Sequence, residues 1–384
     1  MTLSRWKTFT VTLLLGLGFP VAVSASGHAS ASVSRCANFH PHANLSYCNL
    51  AKVDLAGRDL AEANLTGASL RNADLVRTNL VRANFTRASL AGANLTRADL
   101  VGATLRSANL TDAVLSIANL RDTTLGDAHL AGALLIRATL SGSDARGANF
   151  VGANLTHSVM PVADLADANF SNATLENVSM LGDNLTQAQF HLAQIDELNV
   201  SRSNLTNANF ASTYLLDVNL DNANITGATF AHSDLSGDLF AYDNVARATM
   251  TGAELSNDDF TNADLAGVDL TSMRISGEVA TLNFHNANLS GANLSGVPLN
   301  GFYFAGANLT GANLTDTTSF TSPPGCPLCE AVPNFEGANF TQADFLGAQY
   351  HGGVGLGSNT WNDTTCPDAT NSNNDNGTCA NNGV

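Results

Sequence analysis

Along most of this chain an apolar residue returns at every fifth position. In the stretch ANLTRADLVGATLRSANLTDAVL, Ala93 to Leu115, Leu fills each such place and Asn, Asp, Thr or Val stands just before it. From Leu45 to Ile275 every multiple of five carries Leu, Phe, Met, Ile or Val, with Ala145 as the exception. An α-helix turns once in about 3.6 residues, so residues five apart form no stripe on it. A continuous strand alternates its side chains, and an odd spacing throws successive leucines onto opposite faces. A short extended segment followed by a corner resolves both conflicts. Every centre then points inward, as does the small residue two places before it, such as Ala63, Ala68, Ala83 and Ala93. The chain must coil.

The phenylalanines set the size of one coil. Between positions 150 and 230, Phe occupies the centres 150, 170, 190, 210 and 230 and no others, which is every fourth unit. The pattern predicts one aromatic column, with Met160, Met180, Val200, Leu220, Phe240 and Phe260 on the opposite wall. One coil is four units, square in section, with rungs at the ~4.8 Å strand spacing. A single unit buries one Leu, worth about 2 kcal/mol, against roughly 5 to 10 kcal/mol of backbone entropy, so coils stand only on their neighbours.

The motifs ANLTG at Ala63 to Gly67, ANLTR at Ala93 to Arg97 and ANLSGANLSG at Ala287 to Gly296 resemble the pentapeptide-repeat family. The resemblance covers roughly Cys36 to Tyr350. It implies an all-β fold, a right-handed quadrilateral β-helix with four pentapeptides per coil, and says little about activity because the family hosts many roles. The expected order is a signal peptide at 1–25, a linker at 26–35 and the β-helix at 36–315. A Pro- and Cys-containing loop at 316–334 follows, then terminal repeats at 335–350 and a Gly- and Asn-rich tail at 351–384. The register slips near 279–280, where the next centre is Phe284 and one residue is missing from the count. The loop is the best candidate for a partner contact, because loops on regular scaffolds often carry function.

The N-terminus places Arg5 and Lys7 before an apolar run and then small residues, the form of an export signal cut after Ala25. Six cysteines suit an oxidising compartment. Neighbour pairing is expected, Cys36 with Cys48, Cys326 with Cys329 and Cys366 with Cys379, although spacing alone leaves connectivity open. The alternatives are zinc at Cys36, His40, His42 and Cys48, and redox or zinc chemistry at the CPLC of Cys326 and Cys329. The tail segment TTCPDATNSNNDNGTC resembles a Cys-bounded tail of exported bacterial pentapeptide-repeat proteins.

Charge is divided along the chain. Residues 1–146 hold 14 Lys and Arg against 9 Asp and Glu, and residues 147–384 hold 3 against 24, giving +5 and −21. That asymmetry argues against nucleic-acid binding along the whole length. No Walker loop or nucleophile elbow occurs, and the GGVGLG at Gly352 to Gly357 has neither a clear strand before it nor Lys and Ser/Thr after it. No catalytic residue or cofactor is assigned. The expected function is a secreted or cell-envelope scaffold for a protein or cell-surface partner, with no membrane span after signal cleavage. Two alternatives remain. One is a DNA mimic like the topoisomerase-binding members of the family, and the other is an ice- or surface-binding solenoid, whose longest threonine rank is only Thr186, Thr206 and Thr226.

One column breaks the rule. Two places before the centre, one wall reads Val178, Leu198, Val218, then Asp238, Asp258 and Glu278, twenty apart. Carboxylates stacked at inward positions cannot all stay ionised. The expectation is that this corner opens and the acids turn into solvent. The alternative is a calcium ion held by Asp238 and Asp258 with Asp243 or Asp259, since hard cations favour clustered oxygen ligands.

Overall fold

A computed structural model of the chain describes residues 35–275, 281–319, 332–350, 358–374 and 378–379. The chain winds as a parallel β-solenoid. The unit Asn64 to Ala68 shows how its backbone is satisfied. Leu65 N–H donates to the Asn84 carbonyl of the next coil at 2.7 Å, and Gly67 N–H donates to Thr86 at 2.9 Å. Asn64 N–H returns to Ala43 of the previous coil at 2.9 Å, and Ala68 N–H closes the corner on the Leu65 carbonyl at 3.0 Å. The fifth donor, Thr66 N–H, finds the Asn64 side-chain oxygen at 3.1 Å. This is why Asn or Asp precedes so many centres: no backbone acceptor is left for that N–H. The residue two after the centre takes a left-handed conformation, φ 63° at Gly67 and 59° at Arg97, which favours Gly, Asn and Asp there.

Parallel rungs join residues twenty apart. One ladder runs from Asn44 to Asp264 in steps of twenty and continues through Asn288, Asn308, Asn339 and Thr360, sixteen rungs in all. On another face the rungs lengthen into β1 (Thr174–Glu176), β2 (Gln194–Asp196), β3 (Tyr214–Leu216), β4 (Asp234–Ser236), β5 (Glu254–Ser256) and β6 (Arg274–Ile275). A second sheet pairs β7 (Leu282–Asn283) with β8 (Phe302–Tyr303).

The core is the stack of centres. Phe150, Phe170, Phe190, Phe210 and Phe230 form one column with ring centroids 4.5 to 5.2 Å apart and near-parallel planes. Phe240 stands on the opposite wall, meeting Phe230 edge-on at 5.9 Å, and continues through Phe260, Phe284, Phe304 and Phe335. The slip is resolved by that second column. Asp259 pairs with Asn283, Asp264 with Asn288 and Asp269 with Asn293, so one coil has 24 residues and the walls stay aligned. The residue missing from the five-residue count is thus a gain of four in the coil; residues 276–280, including Glu278, lie outside the described residues.

The ends differ from the middle. Cys36 and Cys48 are bonded at the first coil, and Cys366 and Cys379 at the last. The bond at Cys36 removes both thiolates that a zinc site would need, and His42 there faces Glu62 at 3.2 Å. Cys326, Cys329, the signal segment and Gly352 to Gly357 lie outside the described residues. The described tail extends the ladder at Thr360 and Thr365, and Trp361 packs on Phe340 at 4.7 Å. An antiparallel bridge from Thr365 to Asn371 then turns the chain back across the open sheet edge.

Replacing Phe190 with Ala should cost about 3 to 5 kcal/mol in denaturant unfolding, because its ring is buried between Phe170 and Phe210. The outward Gln187→Ala should stay within about 0.5 kcal/mol. Equal losses would refute the inward assignment.

Candidate functional site: buried carboxylates on two corners

The small residue two before each centre normally closes the corner, as Ser158 N–H does on the Leu155 carbonyl at 2.8 Å. Val178, Leu198, Val218, Asp238 and Asp258 occupy the same column and form no such bond. These larger side chains coincide with the three-residue strands β1 to β5 and release an N–H at each corner. At two corners a carboxylate one coil further on accepts it. Asp238 Oδ1 takes the Val218 N–H at 2.8 Å, and Asp258 Oδ1 takes the Asp238 N–H at 3.0 Å. Asp258 Oδ2 also accepts from Ser256 N–H at 2.9 Å.

The solvent-facing expectation for these acids is therefore wrong. Asp238 and Asp258 are fully buried, because the backbone donors they satisfy lie inside the wall. On the neighbouring corner Asp183 and Asp243 accept from Ala163 N–H and Ala223 N–H at 2.8 Å each, and Ala223 N–H also keeps its corner bond to the Leu220 carbonyl at 2.8 Å. Asp183 was missed in the sequence, although Asp in an Ala column was a visible signal. Asp259 points outward and accepts from the backbone and hydroxyl of Thr261 at 2.9 and 2.6 Å.

Burial sets the electrostatics. It raises the Asp183 carboxyl to about 8, Asp243 to about 9 and Asp258 to about 7, with the backbone hydrogen bonds opposing it. Asp238 is pushed well up by burial and then by Asp258. One oxygen each of Asp183, Asp238 and Asp243 has no hydrogen-bond partner among the described residues, which suits a neutral acid better than an anion. No group of three or more metal-ligating side chains converges among the described residues. Calcium at Asp238 and Asp258 would compete with the N–H groups that already hold them.

The repeat model of the pentapeptide repeats family matches in eight copies, seven of which cover residues 42–77, 78–116, 118–157, 163–197, 201–237, 244–277 and 283–318. The chain belongs to that family. No curated protein matches it. Among solved structures, HetL, a pentapeptide repeat protein involved in heterocyst differentiation regulation from the cyanobacterium Nostoc sp. strain PCC 7120, is 26% identical. That match covers 65% of this chain and 97% of HetL, with a TM-score of 0.32. Full-length QnrB1, a plasmid-mediated fluoroquinolone resistance protein, is 20% identical over 59% of this chain and 92% of its own, with a TM-score of 0.19. A pentapeptide repeat protein from the Arabidopsis thaliana thylakoid lumen is 30% identical over 31% of this chain and 69% of its own, at 0.12. The coil geometry and the repeat match carry the fold, and these superpositions add no argument to it.

The raised carboxyls fix a pH dependence. A group whose folded pKa lies above its unfolded value stabilises the fold fully below the unfolded value, near 4, and loses that contribution as pH rises through the folded one. Thermal stability should therefore fall between pH about 5 and about 9, by about 5 °C or more, and Asp243→Asn should flatten the slope. A flat profile would show these acids ionised in the fold. A calcium-induced rise in melting temperature that vanishes when Asp238→Asn and Asp258→Asn are combined would instead establish a cation there.

Proposed function

We propose that the chain is an exported, non-catalytic scaffold that presents outward side chains to protein partners. The observation that carries this reading is the sixteen-rung ladder, which fixes outward residues at regular intervals along a rod of about 70 Å. Inward positions are spent on the core and the Asn or Asp before each centre on the backbone, so the remaining outward columns are where the sequence is free to encode recognition. Two disulfides at the two ends suit an oxidising compartment. Among the described residues no helix is long and apolar enough to cross a membrane. The second reading, a topoisomerase-binding DNA mimic, is favoured by the charge of −21 over residues 147–384. The ice-binding reading gains nothing from the threonine rank. Thr186 and Thr206 hydroxyls donate to Asn184 and Asn204 and accept from the Asn side chains of the next coil.

Material recovered outside the cell should begin at or shortly after Ser26 and show no titratable thiol before reduction, and cross-linking in native culture should capture a protein partner. Cell-retained chains with an intact N-terminus and six titratable thiols would favour the mimic.

A further inference from the structure

One corner of the solenoid carries a charge pattern that reverses along its length. It is built by Arg77, Arg97, Ile117, Arg137 and His157, then Asn177, Glu197 and Asp217, each two places after its centre. All eight share the left-handed corner conformation, with φ from 51° to 61°, and consecutive coils are stitched beside them by bonds such as Arg97 N–H to Ser116 O at 3.0 Å. They form a single exposed ridge. Arg77, Arg97, Arg137, Glu197 and Asp217 have no ion-pair partner among the described residues. At the acidic end the charges crowd one another. Asp196 beside the ridge is raised by burial and then by Glu197, Glu176 and Asp217.

The reversal is symmetric. Arg97 and Glu197, and Arg77 and Asp217, share one midpoint, the level between Arg137 and His157. At that level the ridge itself carries Arg137 and His157, and the two faces that meet there turn apolar, with Leu134 and Val159 each 40% exposed; Ile117, further along the ridge, is 45% exposed. Apolar flanks beside a ridge with oppositely charged ends suit a protein interface. A two-fold axis through the midpoint, normal to the ridge, would set Arg97 against Glu197 and Arg77 against Asp217 of a second chain, and each contact would occur twice. The basic end also has acids on its adjoining faces, Asp54, Asp59, Asp74 and Asp99. Their Oδ1 atoms are held by local backbone N–H groups at 3.0 to 3.3 Å, and they lie off the ridge.

We propose that this ridge is an antiparallel self-association surface, on which a second copy of the chain lies side by side in a two-fold dimer. From Arg77 to Asp217 the ridge spans seven coils, about 34 Å, a narrow contact at the low end of interface areas. The dimer is therefore concentration-dependent and salt-sensitive. The inference deepens the scaffold reading by naming one partner of the same surface. A strictly monomeric chain that still captures other proteins would sink the dimer and leave the scaffold standing.

The test is sedimentation equilibrium of the disulfide-intact protein at about 50 mM and about 500 mM salt, conditions that differ strongly in screening. The wild type should dimerise at low salt and dissociate at high salt. Arg97→Glu alone and Glu197→Arg alone should each weaken the dimer by about tenfold or more, since each reversal is felt twice. The two together should recover most of the loss, with unchanged melting curves showing that these exposed changes leave the fold intact. A monomer up to about 100 μM at low salt, a concentration that would populate a micromolar dimer, overturns the proposal. So does a dimer indifferent to both single reversals, or a double variant no better than the singles.

Discussion

The structure depends on a closed account of backbone donors within five residues. Two N–H groups go to the next coil, one to the previous coil and one to the corner, which leaves the donor just after the centre without a backbone acceptor. The Asn or Asp before the centre supplies it, as Asn64 does for Thr66 and Asp74 for Val76. Because three of the five bonds cross between coils, a rung cannot move without its neighbours. Length can therefore change only where a corner absorbs it while the walls stay in line. The 24-residue coil does so between Asp259 and Asn283, and the step from Tyr303 to Asn334 does so again around the Pro- and Cys-containing stretch.

The fold was legible because its rule is periodic and steric. Phe150 to Phe230 could be counted into one column before any coordinates, and both the column and the opposed Phe240 follow that count. The two terminal disulfides follow neighbour pairing. Asp238 and Asp258 were misread for a physical reason. An inward carboxylate costs too much if it must be ionised and has no donor, and sequence shows neither protonation nor the donors. The N–H that Asp238 accepts belongs to Val218, and it is free only because the corner there has changed.

The four acids also show where the solenoid tolerates exceptions. Asp183 and Asp243 flank one side of the wall that includes Met180 and Phe240, and Asp238 and Asp258 flank the other. Each accepts a backbone N–H of the previous coil; at Val218, Asp238 and Ala163 that N–H has lost its corner bond, whereas Ala223 shares its N–H between the Leu220 carbonyl and Asp243. Burial then makes protonation the condition for keeping that bond without an uncompensated charge. A core otherwise apolar thus carries four buried carboxyls in two of its columns.

Apart from the Asn or Asp before the centre, outward side chains obey no comparable rule. A residue two after a centre must accept a left-handed conformation, which the β-branched Ile117 tolerates less well than Arg97 or Glu197, but its side chain leaves the core entirely. Nothing in the folding of one unit requires the ridge to run from arginine through isoleucine to glutamate and aspartate. Like charges stacked one coil apart at each end repel, and among the described residues no ion pair offsets them, although the Asn177 side chain donates a hydrogen bond to Glu197. An arrangement of opposite charges symmetric about its own midpoint is one that a second copy laid antiparallel along it would compensate.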